Sequence, residues 1–190
     1  MRVNMPDRST ISRVNNSQGH IMEDMIMGAA RRYEQQGRLV IHKESEPFRM
    51  VKYLNRGRGR AEVQFTAKAQ PDFVGCLQGG RLIAIEAKYT QTDRIKQGAV
   101  TEAQGAVLKK YHEAGALAFV CCGIGTGFDL KYFMVPWDTW EAMQDIWGHK
   151  YATAQELADY EVKADMVIYF MDYIEPGGRV EDTCPITWKE

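Results

Sequence analysis

The chain has 190 residues, enough for one domain with a sizeable core or for one domain with appendages. Hydrophobic residues make up 45% and charged residues 26%, a globular rather than disordered balance, and a net charge of −1 argues against a uniformly basic nucleic-acid coat. The longest apolar run, AGALAFVCCGIG, is too short and glycine-rich to span a bilayer. The start, MRVNMPDRST, holds no apolar signal segment, and the four cysteines fall in no metal-like spacing. No membrane partner is therefore expected, the thiols are expected reduced in the core, and the chain is expected in the cytoplasm.

Residues 1–15 are polar and predict a mobile arm. Ile21, Met25, Ala29 and Tyr33 then recur at helical spacing and predict a helix from Ser17 to Gln36, ended by Gly37. RLVIHK reads as a short strand, ESEPF as a turn and RMVKYL as a second extended piece. NRGRGR, residues 55–60, breaks the pattern as a flexible or tightly turning loop, and AEVQFTAK resumes alternation with Val63 and Phe65 on one face. DFVGCL and RLIAIEAKY form a hairpin around QGG. Polar TQTDRIKQGAV leads to a helix over TEAQGAVLKKYHEAG, then to the strands ALAFVCCGIG and DLKYFMVP. A helix is predicted from Asp138 to Trp147, a weaker one near ATAQELADY, and an extended tail in ADMVIYFMDYI. Hairpins first and a helical crossover later predict an α/β fold with a mixed sheet flanked by helices. The division expected is an arm over 1–15, one domain over 16–175 with an arginine-rich projection at about 52–68, and a tail over 176–190.

The hairpin poses the chemical question. Side chains two apart on a strand share a face, so Leu82, Ala84, Glu86 and Lys88 line one side and Ile83, Ile85 and Ala87 the other. The QGG turn brings Asp72, just after Pro71, across from Glu86 and Lys88 at the open mouth. Such a group suits phosphodiester hydrolysis. Mg²⁺ takes hard oxygen ligands and commonly uses one or two carboxylates, here Asp72 and Glu86, with the Ala87 carbonyl as a further oxygen. Lys88 adds a cation that orients water and offsets transition-state charge. A D…ExK triple alone also describes a solvated surface pair. The apolar strand LIAIEAK tips the balance, because charges in a central strand need a purpose.

These residues carry a resemblance. PDFVG…IAIEAK resembles the PD-(D/E)XK nuclease signature, and GHIMEDMI, GRLVIHKESEP, RGRGRAEVQF and EAQGAVLKKYHEAGALAFV resemble the RecU-type Holliday-junction resolvases over most of residues 15–145. The resemblance implies a restriction-endonuclease-like mixed sheet, a Mg²⁺-dependent homodimer (Mn²⁺ substituting) and a stalk that enters branched DNA. It gives Asp72, Glu86 and Lys88 the catalytic positions. Glu23, on the first helix, matches an acidic position near the metal, although the start of a helix favours an acid anyway. Gln104 matches a glutamine able to bond a water or phosphate. The segment before the hairpin is compact, so a short stalk is expected, and nothing carries over beyond about Trp147.

Arg56, Arg58 and Arg60 are expected to grip phosphates, glycines between them keeping bulk away. The four histidines show no metal-ligand spacing, GIGTG lacks a P-loop lysine and reads as a turn, and Trp137, Trp140 and Trp147 suit core packing or a subunit contact. The leading expectation is cleavage of four-way junctions. A duplex endonuclease of restriction or repair type on the same fold, and a non-catalytic DNA-binding protein, remain open.

Overall fold

The computed structural model describes residues 8–45, 48–66 and 69–174, with side chains described from residue 17 onward, residue 65 excepted. Helix α1 (Arg8–Gln35) opens the chain, starting well ahead of the predicted Ser17, so residues 8–15 of the expected arm are helical. Its buried stripe is Met22, Ile26, Ala29, Ala30 and Tyr33, while Ile21, predicted on it, is exposed. Gly37 turns the chain at φ 71°, as expected of a residue just past a helix end.

Strand β1 (Leu39–Lys43) precedes the pair β2 (Phe48–Asn55) and β3 (Arg60–Phe65), then β4 (Phe73–Leu77), β5 (Leu82–Thr90) and β6 (Arg94–Lys96). Helix α2 (Glu102–Glu113) leads into β7 (Leu117–Ile124) and β8 (Lys131–Pro136). Helices α3 (Trp137–Glu141) and α4 (Met143–Trp147) precede β9 (Tyr151–Thr153) and β10 (Glu161–Val162). The main sheet runs β1-β4-β5-β7-β8-β10. Only β5 and β7 are parallel within it, and the chain crosses between them through α2; the other neighbours are antiparallel. This is the mixed α/β sheet the sequence predicts.

Both faces of the sheet are covered. Ile83, Ile85, Phe73, Phe119 and Cys121 meet the α1 stripe, while Ala84, Ala118, Val120, Cys122 and Phe133 meet Leu108 of α2 and Trp140 of α3. Every residue of β7 is buried, which explains its unbroken apolar run. Full burial of each large aliphatic side chain contributes about 1.5–3 kcal/mol. Gly75 allows β1 to lie close against β4, since a Cβ there would stand 2.3 Å from the Val40 carbonyl oxygen.

Several expectations change. TQTDRIKQGAV contains β6, which pairs with β9, and the helix predicted from Asp138 is two short helices, α3 and α4. ATAQELADY ends in a single 3₁₀ turn, Ala158–Tyr160, and the expected extended tail folds into another, Phe170–Tyr173. The buried stripe of α1 packs on one face of the sheet, and Trp137 with Trp140 packs on the other, so of the two roles expected for these tryptophans they take core packing. Burial pushes the Cys121 and Cys122 thiols far up, keeping them protonated, but Cys76 is exposed, against expectation. Residues 175–190, with Cys184 and the expected tail, lie outside the described residues. Among the described residues no helix is long and apolar enough to cross a membrane.

Candidate active site

The antiparallel ladder of β4 and β5 sets Phe73 opposite Ile85 and Val74 opposite Ala84. Continued by one residue, that register sets Asp72 opposite Glu86. Alternation along β5 turns Ile83 and Ile85 toward α1 and leaves Glu86 on the α2 face with Ala84. The strand that the apolar pattern required thereby carries a carboxylate into the interior. Asp72 is 5% exposed and Glu86 0%.

Each carboxylate is held by its surroundings. The Ala87 N–H donates to Asp72 Oδ2 at 2.9 Å, so the residue between Glu86 and Lys88 positions the opposite acid through its backbone. Glu86 Oε1 accepts from Lys88 Nζ at 2.5 Å and from Gln104 Nε2 at 2.6 Å. Charge-assisted bonds of this kind are the strong ones. Asp72, Glu86, Lys88 and Gln104 therefore stand together, drawn from the end of the hairpin and the first turn of α2. Gln104 is buried, and its side-chain oxygen accepts from Thr101 N at 3.1 Å and Thr101 Oγ1 at 3.0 Å.

Glu23 is placed differently from the expectation. Because α1 begins at Arg8, Glu23 lies mid-helix, and the helix-start explanation for its charge no longer applies. It pairs with Lys43 Nζ at 2.6 Å and more loosely with His20 at 3.5 Å. Lys43 faces Phe73 in the register, and the next residue, Glu44, donates its N–H to the Asp72 carbonyl at 2.8 Å. Glu23 is thus connected to the Asp72 end of the hairpin through β1.

Arg56 and Arg58 form a 3₁₀ turn and Arg60 opens β3, all three exposed. The Asn55 side chain caps the turn at Arg58 N and Gly59 completes it at φ 62°, so the loop turns tightly. Arg56 lies over the Tyr53 ring at 4.6 Å. Among the described residues the strands β2 and β3 pair only with each other and form a two-stranded ribbon apart from the main sheet. Every residue of β2 is exposed, including Phe48, Val51 and Leu54. The projection expected at 52–68 therefore starts earlier, at Phe48, and at about 3.3 Å per residue its eight-residue strand reaches about 26 Å. It is not short.

The family profile of RecU, Recombination protein U, matches residues 17–176. The chain belongs to the RecU family. It is accordingly a Holliday-junction resolvase, a nuclease that hydrolyses phosphodiester bonds and binds branched DNA, in a family whose members depend on a divalent metal. Among solved structures, Hjc of Archaeoglobus fulgidus, a Holliday junction resolvase from an archaeal hyperthermophile, is similar at 14% identity with a TM-score of 0.33. The match covers 58% of this chain and 74% of that one. Among curated proteins no relative matches the chain.

The residues present fit such a metal. Two buried carboxylates brought together, Glu86 on β5 and Asp72 just before β4, repel unless a cation offsets them, and Lys88 supplies a single positive charge. Their oxygens suit a hard divalent ion. Among the described residues no group of three or more His, Cys, Asp and Glu gathers as a metal cage. Mg²⁺ does not require one, since it keeps several waters.

Two residues of this RecU site stand outside the motif, Thr101 and Lys43. Thr101 was legible: TEAQ has the Thr-x-x-Gln spacing of a capping box, in which the first and fourth residues bond each other's backbone. The bond of Lys43 to Glu23 joins segments distant in sequence and leaves no local signal.

Proposed function

We propose that Asp72 and Glu86 hold a Mg²⁺ ion, replaceable by Mn²⁺, at which this resolvase cuts the strands of a four-way junction. The observation that carries the reading is the opposition of two buried carboxylates with an ammonium bonded to one of them. When bound, the ion supplies Lewis acidity to the scissile phosphate and to the attacking water. Asp72, fixed by the Ala87 N–H, and Glu86, fixed by Gln104, present preformed oxygen donors, and the Ala87 carbonyl offers another. The Lys88 side chain is 21% exposed and its ammonium is bonded to Glu86, at the border between the buried carboxylate and solvent. From there it orients the water and offsets charge on the phosphoryl oxygens. Glu23 serves the same end of the hairpin as an additional acid.

Arg56, Arg58 and Arg60, carried on the tip of the ribbon, grip phosphates at the junction centre. The catalytic unit is one domain over residues 16–175, and the working form is a homodimer, because symmetric resolution needs two nicks and each chain carries one such site. Incubating the protein with Mg²⁺ and labelled four-way junctions, duplexes and single strands tests the reading. Junctions should be cut, and Asp72→Asn or Glu86→Gln should stop cleavage while leaving junction binding intact. Preferential cutting of plain duplex would support a restriction- or repair-type enzyme instead. Binding without cleavage in either metal would leave a DNA-binding protein.

A further inference from the structure

Gln104 does more than approach Glu86. The first turn of α2 is closed by a complete capping box: Gln104 N donates to Thr101 Oγ1 at 3.3 Å, and Thr101 N donates back to Gln104 Oε1. The Thr101 hydroxyl adds a second donor to the same oxygen at 3.0 Å. An N–H can be met only by an oxygen, so the box fixes which way the Gln104 amide faces. Its Nε2 is left pointing at Glu86 Oε1, 2.6 Å away. An N-cap that many helices use for stability alone is here joined by one side chain to a fully buried carboxylate.

The geometry points to Thr101 and Gln104 as positioning residues for the metal: the capping box of α2 sets the orientation of the Glu86 carboxylate through the Gln104 amide. Gln104 then acts through Glu86 rather than on water or phosphate. The inference rests on the reading of Glu86 as a metal ligand. Several features of the box favour it over a purely structural role. A capping box is satisfied by Glu as well as Gln, but only Gln also offers a donor to Glu86. Both Gln104 and Glu86 are buried, so water does not compete for the bond. Partners that orient a metal-binding side chain typically change metal affinity by about 10–100-fold when removed.

Calorimetric titration of Mn²⁺ into the DNA-free full chain tests this, read alongside thermal melting of the metal-free protein. Thr101→Val keeps the shape and removes the hydroxyl; Thr101→Ser keeps the cap. The expected result is Mn²⁺ binding about 10-fold or more weaker in Thr101→Val, restored in Thr101→Ser. Gln104→Leu reads the same link from its other end, should Thr101→Val fail to fold, and is expected to weaken binding at least as much. Glu86→Gln is the control for the underlying reading. If Glu86→Gln loses Mn²⁺ binding while folded Thr101→Val and Gln104→Leu bind as the natural chain does, the relay is overturned and Thr101 is only a cap. If Glu86→Gln itself binds Mn²⁺ unchanged, Glu86 is not a ligand and both claims fall.

Discussion

Replacing Lys88 with Met keeps the hydrocarbon stem and removes the ammonium, leaving two opposed carboxylates without their cation. Opposed residues on neighbouring strands have Cβ atoms about 4.5–5.5 Å apart. At an effective dielectric of about 20, unit charges about 5 Å apart repel by about 3 kcal/mol. Stripping one partner from a buried ion pair costs about 3–5 kcal/mol in comparable cases. The bonds from Ala87 to Asp72 and from Gln104 to Glu86 survive the substitution, and the Lys88 side chain is partly exposed already. The expected loss is therefore about 2–3 kcal/mol in metal-free buffer, or about 4–12 °C in Tm for a chain of this size. A divalent ion takes over the role of the ammonium, so it should bind Lys88→Met more tightly than the natural chain, and at saturating ion each tenfold in affinity adds about 1.4 kcal/mol to the variant's relative stability. Mn²⁺ should thus narrow the stability gap between Lys88→Met and the natural chain. It should not restore the rate, which is expected to stay about 10²–10³-fold down for want of the electrostatic donor. Thermal melts in EDTA and in Mn²⁺, beside single-turnover junction cleavage, read both effects. A variant as stable as the natural chain in EDTA, or a gap that Mn²⁺ leaves unchanged, would refute the charge argument. Unchanged turnover would make Lys88 a bystander.

Alanine at Arg56, Arg58 and Arg60 together should weaken junction binding more than duplex binding, because phosphates crowd the junction centre within a Debye length of about 8–10 Å. The slope of log affinity against log salt should fall by about 2.7, from about 0.9 for each lost contact; equal loss on both DNAs would make the tip a general phosphate grip. Light scattering at micromolar concentration should report a dimer, and a fully active monomer would contradict the two-nick argument. The dimer contact is expected away from the α1 stripe and from Trp140, which are already buried.

The legible parts of the molecule were those written in local pattern. Alternation in LIAIEAK sent Ile83 and Ile85 one way and Glu86 the other, and QGG fixed the hairpin that sets Asp72 across from Glu86. Tertiary relations were harder to read. Tyr151–Thr153 is too short to announce itself as a strand and exists by pairing with Arg94–Lys96 far earlier in the chain. Phe170 and Met171 look extended because both are apolar, yet a 3₁₀ turn buries them against the α1 side of the core. Phe48, Val51 and Leu54 of β2 are apolar yet exposed, so their pattern does not disclose that the β2–β3 pair stands outside the core. In the site itself, the charged triple was visible as a spacing. The tie from Gln104 to Glu86 depends on how α2 packs against the sheet, which no spacing encodes.

Asp72 and Glu86 should bind the metal as a pair. The most direct measurement is anomalous diffraction from crystals of the protein soaked in Mn²⁺, beside crystals of Asp72→Asn treated alike. One strong manganese peak in contact with oxygens of both Asp72 and Glu86, absent from the Asp72→Asn crystals, is the predicted result. A peak that touches neither carboxylate, in crystals of protein that still cleaves junctions, would contradict it.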